Sequence, residues 1–209
     1  MNKIPSGRRA ERKEATKRRI LEAALELFQV KGFDATTTRA IARKARIAEG
    51  TVFNYFPTKD DIALYFFERE VDHAIAAVRN NPKLRRASLD EKLFALVHSQ
   101  FECLAPYERF IGAAVLHALR PASKLSTLSV QSQQLQLRYI AFVEELIDQS
   151  KLRGSSDMLG AWGPRVFWLF YMGMVLYWLH DTSEGKQDTL AFLDRSLKLG
   201  VGMLKRGRV

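Results

Sequence analysis

The stretch TTTRAIARKARIAEGTVFNYFPTKDDI, residues 36–62, decides the fold of this chain. Its threonines are good N-cap residues standing just before an apolar step at Ile41 and Ala42, which predicts a helix of about two turns. The turn ARIAEG, residues 45–50, leads into a second short helix, GTVFNYF. Pro57 closes that helix, because the residue before a proline is disfavoured in the α region. Thr58, Asp60 and Asp61 then mark a fresh start: a capping hydroxyl followed by acids that suit the positive end of a helix dipole.

Upstream, TKRRILEAALELFQVKG, residues 16–32, sets Ile20, Ala24, Leu27 and Leu21, Leu25, Phe28 at i, i+4, i+7. Gly32 is placed to end that helix in the left-handed conformation. Downstream, a helix runs through IALYFFEREVDHAIAAVRN, and further helices are predicted at about 88–104, 106–120, 126–150, 160–181 and 187–206. NNPKLRRAS, RPASKLS, SKLRGSSD and HDTSEGKQD separate them with Pro, Gly, Ser and Asn. The fold class is therefore all-α. The most apolar segment, VFWLFYMGMVLYWL at 166–179, has 14 uncharged residues, short of the roughly 20 that cross a bilayer. Pro164 and Arg165 close one side of it, so a buried or interface helix is expected and no membrane partner.

Charge points to a polyanion. Of the net +10, most sits in residues 1–59, which hold 14 Lys and Arg against 6 Asp and Glu, whereas residues 60–209 hold 19 against 17. Phosphates or an acidic membrane surface would attract such a region. Hydrophobic residues at 47% and charged ones at 27% are those of an ordinary globular chain. The single cysteine, Cys103, excludes an intrachain disulfide, and the N-terminus has no apolar signal core, so a cytoplasmic location is expected.

Two short helices joined by a turn behind a stabilising first helix make a helix-turn-helix. Over residues 16–62 the chain resembles the DNA-binding signature of the TetR family of bacterial transcriptional regulators: threonines opening the second helix, Ile41-Ala42, Gly50-Thr51, aromatics around Asn54, then Phe56-Pro57 and Lys59. The resemblance implies a helix-turn-helix domain over 1–59, including a basic N-terminal arm, and a helical effector-binding and dimerisation domain over 60–209. It places Thr38, Arg39, Gly50, Thr51, Asn54, Tyr55 and Lys59 where such regulators touch DNA. Chemistry gives the same residues roles. Gly50 lets backbone approach a phosphate, Asn54 suits adenine in the major groove, Tyr55 can donate to a phosphate and Lys59 can pair with one. Glu49 either accepts from a cytosine amino group or lowers non-specific affinity. Val52, Phe53 and Phe56 are assigned to packing. The chain departs from the family pattern at Arg46, where glycine is usual in the turn, at Ala48, where a serine usually caps the third helix, and at Phe53, where tyrosine is usual.

The larger part offers no transferable motif. Phe101, Cys103, Phe110, His117, Trp162, Phe167, Trp168, Tyr171 and Tyr177 are candidates to line a pocket, because an apolar cavity with a few polar groups holds small molecules. Leu193, Leu197, Gly200 and Leu204 form a stripe on the last helix that could pair with a second copy or fill the chain's own core. His73, His98, His117 and His180 are scattered, without metal-binding spacing, and no phosphate loop or nucleophile elbow occurs, so neither a metal, a cofactor nor catalysis is expected. The expected function is a homodimeric regulator, a repressor that a small hydrophobic or aromatic effector releases from a palindromic operator in double-stranded DNA. The alternative is a helical interaction protein that binds anionic surfaces without reading sequence.

Overall fold

A computed structural model of the chain describes residues 6–150 and 157–206, with side chains described over 8–150 and 162–203. The described residues are helical and loop only. In order come α1 (Ser6–Lys31), α2 (Thr38–Lys44), α3 (Glu49–Tyr55), α4 (Lys59–Arg79), α5 (Leu89–Leu104), α6 (Glu108–Ala118), α7 (Val130–Gln149), α8 (Asp157–His180) and α9 (Gln187–Arg206). Short 3-10 turns precede α5, α6 and α9. The chain forms two compact units, Met1–Phe67 with Tyr107–Ser132 and Glu68–Pro106 with Gln133–Val209. Thus α6 packs with the helix-turn-helix, although the sequence reading gave everything after residue 59 to the second domain.

In the first unit, α1 buries Ile20, Leu21, Ala24, Leu25 and Phe28 along one face. Each of these side chains except the small Ala24 contributes on the order of 1.5–3 kcal/mol by leaving water. Phe28 stacks on Phe110 of α6 with ring centroids 4.9 Å apart and meets Phe33 edge-on at 4.8 Å. Gly32, at φ +89°, ends α1 as expected, its N–H donating to the Phe28 carbonyl at 3.0 Å. Arg109 reaches back from α6 to the carbonyls of Val30 and Gln29 at 2.8 and 3.2 Å, satisfying acceptors that the end of α1 leaves open. The basic N-terminal arm is helical from Ser6.

The second unit packs α5 on α9 and α8 on α9. Phe101 of α5 stacks flat on Trp178 of α8, centroids 5.5 Å apart. Asp181, just past α8, fastens the start of α9. Its carboxylate accepts from the N–H and hydroxyl of Thr189 at 2.8 and 2.6 Å and from those of Ser183 at 2.8 and 2.6 Å. Pro164 lies inside α8, within the range expected for that helix, where it removes one backbone donor but leaves the helix continuous from Asp157.

Candidate functional site

The two short helices are built by local signals. Thr37 caps α2, its hydroxyl accepting from the Ala40 N–H at 3.2 Å, and Thr36 is buried, donating to the Gly32 carbonyl at 2.8 Å. After Ala45 the chain reverses through Arg46 at φ +54°, and the Ile47 N–H donates to the Ala42 carbonyl at 3.0 Å. The glycine common at this turn would adopt that conformation freely, whereas an arginine there is strained. Arg19 of α1 supports the turn by donating to the Ala45 carbonyl at 2.7 Å.

Helix α3 starts at Ala48, which supplies no side-chain cap. Glu49 stands in its place electrostatically, a carboxylate in the first turn where the dipole favours one. That carboxylate accepts from the Thr38 hydroxyl and from Arg39 Nε, both at 3.2 Å, so Thr38, Arg39 and Glu49 link the N-terminal ends of α2 and α3. Glu49 is thus engaged with the chain's own Thr38 and Arg39.

Val52 is fully buried and Phe56, extended at the C-cap, is buried too. Both match their packing assignment. Phe53 does not: it is 46% exposed. At i, i+3 and i+4 it shares the outer face with Gly50 and Asn54, both exposed, while Thr51 and Tyr55 are half-buried at the flanks. A Cβ built on Gly50 would meet nothing within 4 Å, so the space that glycine leaves opens outward. The spacing carries the signal for Phe53, which follows Gly50 by three residues and so shares its face rather than that of Val52 and Phe56.

Lys59 also departs from expectation. Its ammonium donates to the carbonyls of Phe33, Asp34 and Thr36 at 2.7, 3.0 and 3.5 Å and sits 4.6 Å from the Phe33 ring centroid. It closes the loop between α1 and α2, and its three donors are engaged there.

The expected pocket residues fall into separate places. Phe110 is part of the aromatic core of the first unit, and His117 is buried there with Nε2 2.8 Å from Asp34 Oδ1, so both are corrected to structural roles. Trp162 and Tyr177 are exposed and line nothing internal. Phe167, Trp168 and Tyr171 gather around Tyr139 of α7, with Tyr171 stacked on it at 5.1 Å and Trp168 edge-on at 5.4 Å. Burial pushes the hydroxyls of Tyr139 and Tyr171 well above the usual phenol range, and the Glu70 charge adds to the effect at Tyr171. Tyr139, Gln100 and Glu70 were not singled out from sequence. Each holds a buried side-chain oxygen without a hydrogen-bond partner among the described residues. An unmade bond of this kind costs about 1–3 kcal/mol, and it is what a polar group of a ligand would satisfy. Cys103 lies beside Glu70 and His73. Burial, the Glu70 hydrogen bond and the Glu70 charge push its thiol up to about 12, so it is protonated and not a nucleophile at neutral pH.

The sequence stripe on α9 is corrected as well. Leu193 and Leu197 are buried in the chain's own core, Gly200 is exposed, and the Leu204 side chain lies outside the described residues. What reaches the surface is another set. On α8 it is Trp162, Val166, Leu169, Gly173 and Leu176, and on α9 it is Phe192, Leu199 and Met203. The α8 spacing of 4, 3, 4, 3 is that of a helix-packing seam. No described helix is long and apolar enough to cross a membrane.

Comparison with known proteins agrees with this geometry. The family model described as "Bacterial regulatory proteins, tetR family" matches residues 20–66, and that for "Tetracyclin repressor-like, C-terminal domain" matches 92–209. An HTH-type transcriptional repressor of Mycobacterium tuberculosis is 31% identical over 156 residues, 75% of this chain and 67% of that one. The Fatty acid metabolism regulator protein of Bacillus subtilis is 30% identical over 86 residues, 41% of this chain, and the match spans only 44% of that regulator's length. Among solved structures, a TetR regulator from Nitrosomonas europaea shares the fold at a TM-score of 0.68, with 17% identity over 88% of this chain and 96% of that one. Thermus thermophilus FadR, solved in complex with lauroyl-CoA, does so at 0.63, with 24% identity over 87% and 92%. Proteins of this kind regulate transcription by binding DNA and are not enzymes. The chain belongs to the TetR family of bacterial transcriptional regulators.

Proposed function

We propose that this chain is a cytoplasmic, homodimeric repressor that leaves a palindromic operator when a small molecule enters its second unit. The observation that carries the reading is the outer face of α3, where Gly50, Phe53 and Asn54 stand exposed while Val52 and Phe56 hold the helix from behind. Asn54 is suited to pair with adenine, and the Phe53 ring is suited to the methyl group of a thymine. Gly50 and Thr51 bring the α3 N-terminus close to a phosphate, Tyr55 donates to another, and Thr38 and Arg39 contact the backbone from α2. The 4-3 seam of α8 and the exposed face of α9 form the surface that a second copy covers, which sets two recognition helices on one palindrome.

The effector is an apolar or aromatic molecule carrying a hydrogen-bonding group. Phe101, Phe167, Trp168 and Tyr171 supply apolar surface, and Gln100 and Tyr139 supply buried oxygens ready to bond. The lauroyl-CoA bound by the Thermus FadR makes fatty acyl thioesters the first class to screen. Binding favours an arrangement of the two headpieces that no longer fits successive major grooves, and a few kcal/mol of differential affinity suffices.

Selection from a randomised duplex library at near-physiological salt tests the reading. Enrichment of a palindrome supports it. A folded protein that enriches nothing overturns it in favour of an anionic-surface binder, which liposome co-sedimentation would then detect. A thermal-shift screen of acyl thioesters and aromatic acids on the full chain tests the effector class.

A further inference from the structure

Three side chains that lie far apart in sequence meet in the second unit. Glu70 and His73 stand at i, i+3 on α4, where side chains share a face, and Cys103 faces them from α5. One ligand atom from each falls within 4.8 Å of the other two, and His73 Nδ1 is 3.1 Å from Cys103 Sγ. A tetrahedral ion with bonds of about 2.0 Å to nitrogen and 2.3 Å to sulfur separates those two donors by about 3.5 Å, so the helices already hold them near ligating distance. Glu70 Oε2 is buried without a hydrogen-bond partner, although the Glu70 carboxylate also takes the hydrogen bond of the Cys103 thiol. His73 is exposed, which gives an ion a way in.

We propose that Glu70, His73 and Cys103 form a binding site for a divalent transition-metal ion of borderline softness, zinc or cobalt(II) in type. One carboxylate, one imidazole and one thiolate, the Cys103 proton being released to solvent as the ion binds, are a donor set that zinc accepts, whereas magnesium and calcium demand oxygen alone. Three protein ligands leave a fourth position for water or an added small ligand. An ion there ties α4 to α5 within the second unit. The site does not depend on the identity of the organic effector, and its test is independent of DNA.

The test is titration of the purified, reduced full-length protein, freed of metal with a chelator, by cobalt(II) and then zinc. The expected result is one ion per chain, with the near-ultraviolet charge-transfer band of a cobalt–thiolate bond and its displacement by zinc. Cys103→Ser should abolish that band. His73→Ala, at an exposed position that the fold tolerates, should weaken binding about tenfold or more, equivalent to about 1.4 kcal/mol. Asp72→Asn, one residue away but paired with Arg138, should change nothing. A folded protein that shows no thiolate band at excess cobalt, or one whose binding survives His73→Ala unchanged, overturns the proposal. In that case the 3.1 Å contact is only a hydrogen bond between thiol and imidazole.

Discussion

Helices α3 and α8 both carry aromatic residues to the surface, in opposite surroundings. On α3 a single ring, Phe53, stands between Gly50 and Asn54, near the exposed Arg43 at the end of α2 and Arg46 in the turn. On α8 the exposed residues Trp162, Val166, Leu169, Leu176 and Tyr177 follow one another along a helix that bears no charged side chain from Val166 to Leu179. The neighbours decide what an exposed apolar group is for. Among polar and cationic groups it can touch a base edge while its neighbours hold phosphates. In an uncharged row at helix-packing spacing it has the pattern of a face that packs against a helix.

The sharpest way to break this comparison is Leu169→Glu, a charge in the middle of the α8 seam. It should turn the dimer into a monomer by analytical ultracentrifugation and weaken operator binding by about 30-fold or more, the scale of a hot-spot loss of about 2 kcal/mol. A variant that stays dimeric would move the interface elsewhere. On the other helix, Asn54→Ala should cost about 1–3 kcal/mol on the selected operator and little on random DNA, measured by titration of both duplexes. Equal losses on the two would remove Asn54 from base reading.

Lys59→Met separates a phosphate contact from a structural one. It should lower headpiece stability by about 1–3 kcal/mol, seen in chemical denaturation, because three loop carbonyls lose their donor. The dependence of DNA affinity on salt should stay unchanged, since no phosphate contact is lost. Arg46→Gly and Ala48→Ser should each stabilise the protein by about 1 kcal/mol, the first by relieving a left-handed arginine and the second by supplying a cap. The smallest effect per site concerns acid. Hydrogen bonds from Ser183 and Thr189 hold the Asp181 carboxyl well below the usual carboxylate range. Its contribution is therefore complete above about pH 4 and drains away as pH falls further, and Asp181→Asn should flatten that limb of a stability–pH profile.

The headpiece was legible because its signals are local. Gly32, Thr37 and Pro57 each act on their own backbone, and each ends or starts a helix where the sequence reading put it. The site residues were legible less completely. Phe53 was misread because residue type was weighed above helical position, and Lys59 because its partners lie 23–26 residues back, across a loop that sequence does not fold. In the larger part, helix positions followed from periodicity, but partners did not. An amphipathic stripe such as Leu193 and Leu197 says that a face is covered without saying by what, and here α9 turns it inward. Likewise, His73 and Cys103 are 30 residues apart on different helices, so no spacing rule brings them together.

The grip of Lys59 on the α1–α2 loop bears on how the reading helix opens. Because the first residue of α4 holds the carbonyls that follow α1, α2 and α3 are enclosed between two ends fastened to each other. Opening either short helix alone would strain that fastening, so the two should open as one cooperative unit. In native-state hydrogen exchange, the amides of α2 and α3 should then share a common protection free energy, and Lys59→Met should let them separate.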